Sequence, residues 1–302
     1  MGLRWLRKMY LAARRVLLGT GISTVPPFSW IKQAALRRLR GPGRKPVLGS
    51  WMRLDPLDRL NLGVNGVYEP EDTAFAGRVI RSGNCVVDVG ANVGYYTCYF
   101  SRLVGPKGRV LAFEPAPDMF EIASDNVRYN GYDTQTEVRN QAVTDHSGPL
   151  TLYMEEGRPE DNRIFNDGEA PRKAVAVEGV CLDDVEELKT RPPDFIKMDI
   201  QGAEIFAIRG MRRVLRESTN VCVLLEYWPY GLLKTGRQPE ELIGELMDAG
   251  LVVCRVAEED GRLVRVRKED ARELCGVGIG TYINLVAAHE KRMAELLLRE
   301  GR

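Results

Sequence analysis

Three acids at the ends of apolar runs decide what chemistry this chain can do. In Cys85–Phe100, CVVDVGANVGYYTCYF, Asp88 follows a short apolar run, and Gly90 and Gly94 come after it, four residues apart. A pyrophosphate-binding turn needs G-x-G-x-x-G. Here an acid stands at the first glycine position, and an acid repels a pyrophosphate but suits a cationic or amino-bearing ligand. S-adenosyl-L-methionine carries a sulfonium, an ammonium and a ribose, so D-x-G-x-x-x-G favours it over a nicotinamide dinucleotide. Glu114 ends the next apolar run, Arg109–Phe113, where a carboxylate can accept both ribose hydroxyls. The third acid, Asp199, ends the run Phe195–Met198, where a carboxylate could act as a base beside that ligand.

Four segments carry a family resemblance: VVDVGANVGYYT (Val86–Thr97), AFEPAP (Ala112–Pro117), NVRYNG (Asn126–Gly131) and DFIKMDIQGAE (Asp194–Glu204). In order and spacing they resemble the FkbM family of S-adenosylmethionine-dependent methyltransferases, and the resemblance runs from about Tyr68 to about Glu226. It implies a Rossmann-like fold and methyl transfer, usually to an oxygen of a sugar or secondary metabolite. It does not imply which acceptor. Carried onto this chain, it gives a donor site of Asp88, Gly90, Ala91, Asn92, Gly94 and Glu114. Asn140 and Ala142 in RNQAV resemble the position facing the adenine ring, with Gln141 an alternative partner for the amino group.

The same resemblance places the D-x-x-G-x-E unit, Asp199 to Glu204, in the active site. Asp199 is read as the base, against the alternative of an acid that ties two loops together. Glu204 opens the following helix, where a carboxylate complements the helix N-terminus, and it is read equally as an active-site acid or as a helix-start acid. Glu226 ends the run Val221–Leu225, and Tyr227-Trp228-Pro229 after it would suit a sugar or simple packing. His146, in TDHSG, is a weaker candidate base, explained as well by a solvated turn. No metal ligand set is visible. A binding or scaffold protein that keeps the fold without turnover is the alternative class, and it would be expected to have lost one of Asp88, Gly90, Glu114 or Asp199.

These residues need strands to carry them to one edge. Short apolar runs alternating with periodic segments predict strands near 85–89, 109–113, 138–143, 194–198 and 221–226. Helices are predicted near 94–103, 117–130, 204–216 and 238–249, with Pro70–Ile80 a further helix and Gly63–Gly66 a turn. That alternation predicts an α/β fold with a mostly parallel central sheet and helices on both faces. Leu150–Tyr153 and Ala174–Val177 read as strands flanking a long polar segment, Glu155–Lys173, read equally as an acceptor-binding lid or as an exposed loop with no role. Leu251–Val256 and Tyr282–Ala287 read as antiparallel strands.

The chain has 302 residues, 44% hydrophobic and 28% charged, with a net charge of +1. Twelve Lys and Arg and no acid fall in residues 1–54, which leaves 31 basic against 42 acidic residues in the rest. So acidic a body argues against nucleic-acid binding. Six cysteines without a CxxC pair read as free thiols, and two histidines leave carboxylates or tyrosines as the bases. Residues 3–18 form a basic amphipathic pattern with Leu3, Leu6, Tyr10, Ala13 and Leu17 on one face, and Trp30–Arg40 is a second basic segment. Such helices lie on anionic membranes, pack on the body or make a dimer contact. Gly41–Pro46 reads as a linker, dividing an extension, 1–45, from a methyltransferase domain, 46–302. Without a membrane span or signal peptide the expected location is cytoplasmic, with possible peripheral contact at the inner membrane surface; the expected partner is a small-molecule or glycan acceptor.

Overall fold

In the computed structural model of the chain, residues 43–155, 162–166, 168, 171–257, 262–276, 278 and 281–300 are described. The basic helix expected at 3–18 and the segment Trp30–Arg40 lie outside them. Contacts divide the chain into two units, Met1–Pro70 and Glu71–Arg302. In the first, β1 (Lys45–Val47) and β2 (Ser50–Met52) form an antiparallel hairpin. Its two-residue loop, Leu48-Gly49, has positive φ at both positions, 47° and 88°, the twist that suits a tight hairpin. The expected turn at Gly63–Gly66 is instead α1 (Leu62–Asn65), closed by Gly66 at φ 74°.

The second unit is organised around one sheet. Its parallel strands are β3 (Cys85–Val89), β4 (Arg109–Phe113), β5 (Thr136–Arg139), β9 (Phe195–Met198) and β10 (Cys222–Tyr227). They lie in the order β5-β4-β3-β9-β10, and β13 (Ile283–Ala288), β11 (Val252–Val256) and β12 (Leu263–Arg265) continue the sheet antiparallel. All of β3, β9 and β10 is buried, as expected of strands covered on both faces. The helices α3 (Tyr95–Val104), α4 (Pro117–Tyr129), α9 (Pro239–Asp248) and α10 (Glu290–Glu300) pack on β3 and β4, on β5, on β11 and on β13 respectively. The predicted helix over Pro70–Ile80 is α2 (Pro70–Val79), its apolar face buried through Phe75, Ala76 and Val79. This is the Rossmann-like α/β sheet that the sequence predicts. The chain leaves β3 for β4 on one side and reaches β9 on the other, so the strand order reverses between β3 and β9. Open α/β sheets bind ligands at that switch point.

Two predicted elements are divided. The strand expected over 138–143 ends at Arg139 and resumes as β6 (Gln141–Val143) in a separate three-stranded sheet. That sheet is completed by β8 (Arg172–Val180), parallel to β6, and β7 (Gly148–Glu155), antiparallel to β8. The break has a side-chain cause: Asn140 between the strands donates its amide to the carbonyls of Glu114 and Pro115, at 2.8 and 2.9 Å. The helix expected over 204–216 becomes α6 (Glu204–Arg209) and α7 (Arg212–Glu217), with α5 (Glu186–Thr190) before them and α8 (Pro229–Lys234) after. Between α6 and α7 Gly210 approaches Thr144 so closely that a Cβ would lie 1.9 Å from the Thr144 carbonyl oxygen. The body thus joins its two sheets at the cost of one helix. Among the described residues no helix is long and apolar enough to cross a membrane.

Candidate active site

At the switch point, the carboxyl ends of β3, β4 and β9 open into a cleft of about 560 Å³, counted out to its mouth. Gly90, Asn92, Glu114, Ala142, Asp199 and Gln201 are among its walls. Five of these six are sequence candidates, drawn from positions 109 residues apart in the chain. Gly90 makes the junction possible. Its φ is +86°, and a Cβ there would fall 2.1 Å from the Asp199 carbonyl oxygen, so only glycine lets the turn after β3 touch the turn after β9.

Glu114 is held in place by the turn after β3 and by its own loop. The Asn92 N–H donates to Oε2 at 2.7 Å and the Ala116 N–H to Oε1 at 2.9 Å. The residue is only 7% exposed, and burial pushes its carboxyl pKa up to about 7, against the pull of those two N–H groups. Each oxygen accepts one backbone hydrogen bond among the described contacts and keeps lone-pair capacity for another donor, the chemistry that a vicinal diol requires. Beside it, Phe113, Pro115, Ala142 and Val143 give the cleft an apolar wall fit for a flat ring.

Asp88 stands outside the cleft lining. It is buried, its Oδ2 accepting from the Thr97 hydroxyl at 2.5 Å. Lys197 is its register neighbour on β9. Burial pushes the Asp88 pKa up to about 6, opposed by Thr97 and Lys197. The Lys197 ammonium, equally buried, lies 3.9 Å from Asp199 Oδ2 and 5.2 Å from the Tyr96 ring centre. A cation between two acids offsets what burial costs each of them. Ala91 and Gly94 are likewise behind the wall: the Ala91 N–H donates to Phe113 O at 3.0 Å, and Gly94 packs on Ala123. Asn140 also lies off the lining, its amide hydrogens given to the β4 loop.

Asp199 lies in the cleft wall with its side chain 22% exposed. The Gln201 amide donates to its Oδ1 at 2.9 Å and, at 3.3 Å, to Oε1 of Glu226. Glu226 therefore sits one side chain behind the cleft. Glu204, read equally as an active-site acid or as a helix-start acid, opens α6. It has no exposed surface and lies off the lining, and its Oε1 accepts the Ile200 N–H at 3.0 Å, closing the loop that carries Asp199. Burial raises its pKa to about 7. In this structure Glu204 has no face on the cleft and holds the loop after β9. Tyr227, read as suiting a sugar or simple packing, is fully buried and donates its hydroxyl to the Ala271 carbonyl at 2.8 Å. Trp228, 5% exposed, stacks under the Arg163 guanidinium at 4.8 Å. His146 is an exposed turn residue 2.9 Å from Asp145 Oδ1 and is not in the cleft wall.

Sequence reasoning gave no role to Gln201, although it lies inside the D-x-x-G-x-E unit. It also passed over Leu152, Asn162 and Ile164, which bring the second sheet and the described part of the 155–173 segment into the cleft wall. No motif marks them; the length and position of that polar segment were the available signal. Asn162 Oδ1 accepts the Glu155 N–H at 3.2 Å, while its buried amide nitrogen has no partner among the described residues.

Comparison with known proteins agrees with this architecture. Residues 88–248, more than half of the chain, match the model of the methyltransferase FkbM domain. Methyltransferase sdnD of Sordaria araneosa is 27% identical over 178 residues, covering 49% of this chain and 68% of that protein. Hexuronic acid methyltransferase AglP of Haloferax volcanii is 28% identical over 138 residues, covering 45% of this chain and 53% of that protein, so the chain spans about half of that relative. Among solved structures, an O-methyltransferase from Bacillus cereus in complex with SAH covers 73% of this chain and 81% of its own, at 14% identity and a TM-score of 0.41. The family match starts at Asp88 and ends with α9. All three strand ends that form the cleft lie inside it, and the chain belongs to the FkbM family of S-adenosylmethionine-dependent methyltransferases.

Proposed function

We propose that this methyltransferase acts on a hydroxyl oxygen of a sugar or secondary metabolite, with Asp199 as the base. The observation that carries the proposal is the placement of Asp199 in the cleft wall, against the Gly90 turn and within the same cleft as Glu114. A carboxylate there is partly exposed, held at one oxygen by Gln201, and able to take a proton from an alcohol. The name of the Haloferax volcanii relative, a hexuronic acid methyltransferase, supports a sugar acceptor.

The residues present fit the donor. Glu114 offers acceptor oxygens to the ribose hydroxyls, and Phe113, Pro115, Ala142 and Val143 offer an apolar wall to the adenine. Bound there, the donor supplies a methyl carbon already activated by its sulfonium. The chain's own work is then positional: Glu114 and the glycine turn hold the donor, and Asp199 orients the hydroxyl and accepts its proton. Holding the two reactants in line is worth several kcal/mol of barrier.

Mass spectrometry of a cell extract incubated with the protein and isotopically labelled donor identifies the acceptor, and a label on oxygen is expected. Asp199→Asn, nearly isosteric but unable to take the proton, should lower turnover roughly a hundredfold or more and leave donor affinity nearly unchanged. Label on nitrogen or carbon, or near-normal turnover in the variant, would remove Asp199 as the alcohol's base.

A further inference from the structure

Gln201 occupies a conformation that its backbone does not favour. Its φ is +56°, in the left-handed region where an L side chain is strained and glycine or asparagine is the usual occupant. The next residue is Gly202, itself at φ +93°, so the loop after β9 turns through two left-handed residues in succession. A glutamine kept at the first of them points to a use for its side chain. That use is visible: one amide nitrogen reaches Asp199 Oδ1 at 2.9 Å and Glu226 Oε1 at 3.3 Å. The two acids end neighbouring strands, β9 and β10, and without a donor between them their like charges would repel.

The orientation of the amide follows from its partners. With the nitrogen toward the carboxylates, both N–H bonds are used; turned over, its carbonyl oxygen would face two carboxylate oxygens. The Lys197 ammonium already lies 3.9 Å from Asp199 Oδ2, so a lysine or arginine in place of Gln201 would add a second cation there, whereas a neutral amide holds the two acids without one.

We propose that Gln201 is the positioning residue of the transfer: it clamps Asp199 to Glu226 and so aims the base at the acceptor hydroxyl. This rests on the reading of Asp199 as the base. Losing the clamp should therefore lower turnover while leaving substrate and donor binding nearly unchanged, a split that a merely structural residue would not give.

The test uses the full chain with two variants. Gln201→Met removes the amide at similar volume, and Gln201→Gly removes it while relieving the left-handed backbone, so it folds even if the first does not. On whichever molecule the extract experiment labels, kcat should fall about tenfold or more in both variants, while KM for that molecule and affinity for S-adenosylhomocysteine stay within about twofold. Wild-type kcat in either variant, or a loss confined to KM or to donor affinity, overturns the clamp and leaves Asp199 standing as the base. A wild-type chain that labels nitrogen or carbon instead of a hydroxyl sinks the reading of the base, and the clamp with it.

Discussion

Glu114→Gln is the sharpest test of the donor site. The substitution keeps the volume and one carbonyl oxygen but turns the other oxygen into an amide donor. In the structure both oxygens face backbone donors, Asn92 N–H at 2.7 Å and Ala116 N–H at 2.9 Å. Whichever way the amide turns, one of those N–H groups meets another donor, and a buried polar group left unpaired costs about 1–3 kcal/mol. The ribose diol also exchanges a charged acceptor for a neutral one, and hydrogen bonds to charged groups are worth about 1.5–3 kcal/mol against about 1 for neutral ones. Part of the first cost falls on the free protein as well, so a loss of about 1.5–3 kcal/mol is expected, roughly 10- to 150-fold in the Kd of S-adenosylhomocysteine. The pH dependence adds a second signature. Burial holds the Glu114 pKa at about 7 in the free protein, so below that pH the carboxyl is protonated and loses acceptor capacity. Donor hydroxyls favour the anion, so wild-type affinity should rise from pH 5 to pH 8, tenfold for each unit by which the bound diol lowers the pKa. Calorimetry at pH 5, 6, 7 and 8 on both proteins reads the two effects together. Equal affinity in the variant, or the same pH slope in both, would refute the assignment of Glu114 to the ribose.

Glu204→Gln should separate loop-holding from catalysis. The folded pKa of Glu204 is raised from 4.5 to about 7, so its contribution is most favourable below about pH 4.5 and is lost as pH rises through about 7. In urea unfolding, the midpoint of the variant is therefore expected to fall less than that of the wild type between pH 5 and pH 8, with turnover retained; a large loss of turnover at unchanged stability would return Glu204 to the catalytic set. Gly90→Ala places a methyl 2.1 Å from the Asp199 carbonyl oxygen at φ +86°, so beyond the roughly 1–2 kcal/mol of left-handed strain the two turns must separate; a lower urea midpoint and weakened donor binding are expected, and wild-type values of both would contradict the close approach. For the basic segment, the full chain should sediment with anionic vesicles at low salt and be released as salt rises, whereas a chain lacking residues 1–45 should stay in the supernatant; equal behaviour of the two would assign those residues to packing or to a dimer contact.

The elements that carry the donor chemistry were legible because they are local. Val86 and Val87 before Asp88, the glycines after it and Glu114 at the close of an apolar run announce strand ends and turns through residue type alone. A Rossmann-like sheet follows from that alternation with little freedom. Which face each acid presents was not legible. Asp88 and Glu114 read alike in the chain, yet register against Lys197 and the bond from Thr97 draw Asp88 into the core, while Glu114 stays in the cleft wall. Glu204 and Asp199, five residues apart, separate in the same way: the loop turns through Gln201 and Gly202, leaving one carboxylate in the wall and folding the other onto Ile200. The broken strand at Asn140 and the broken helix at Gly210 were also invisible locally, because their causes are the carbonyls of Glu114, Pro115 and Thr144, brought in from elsewhere in the chain. Residue type and spacing determined which groups would stand at the sheet's edge. Only the tertiary structure decided which of them face the cleft, because burial, charge pairing and backbone contact act between segments that the sequence keeps far apart.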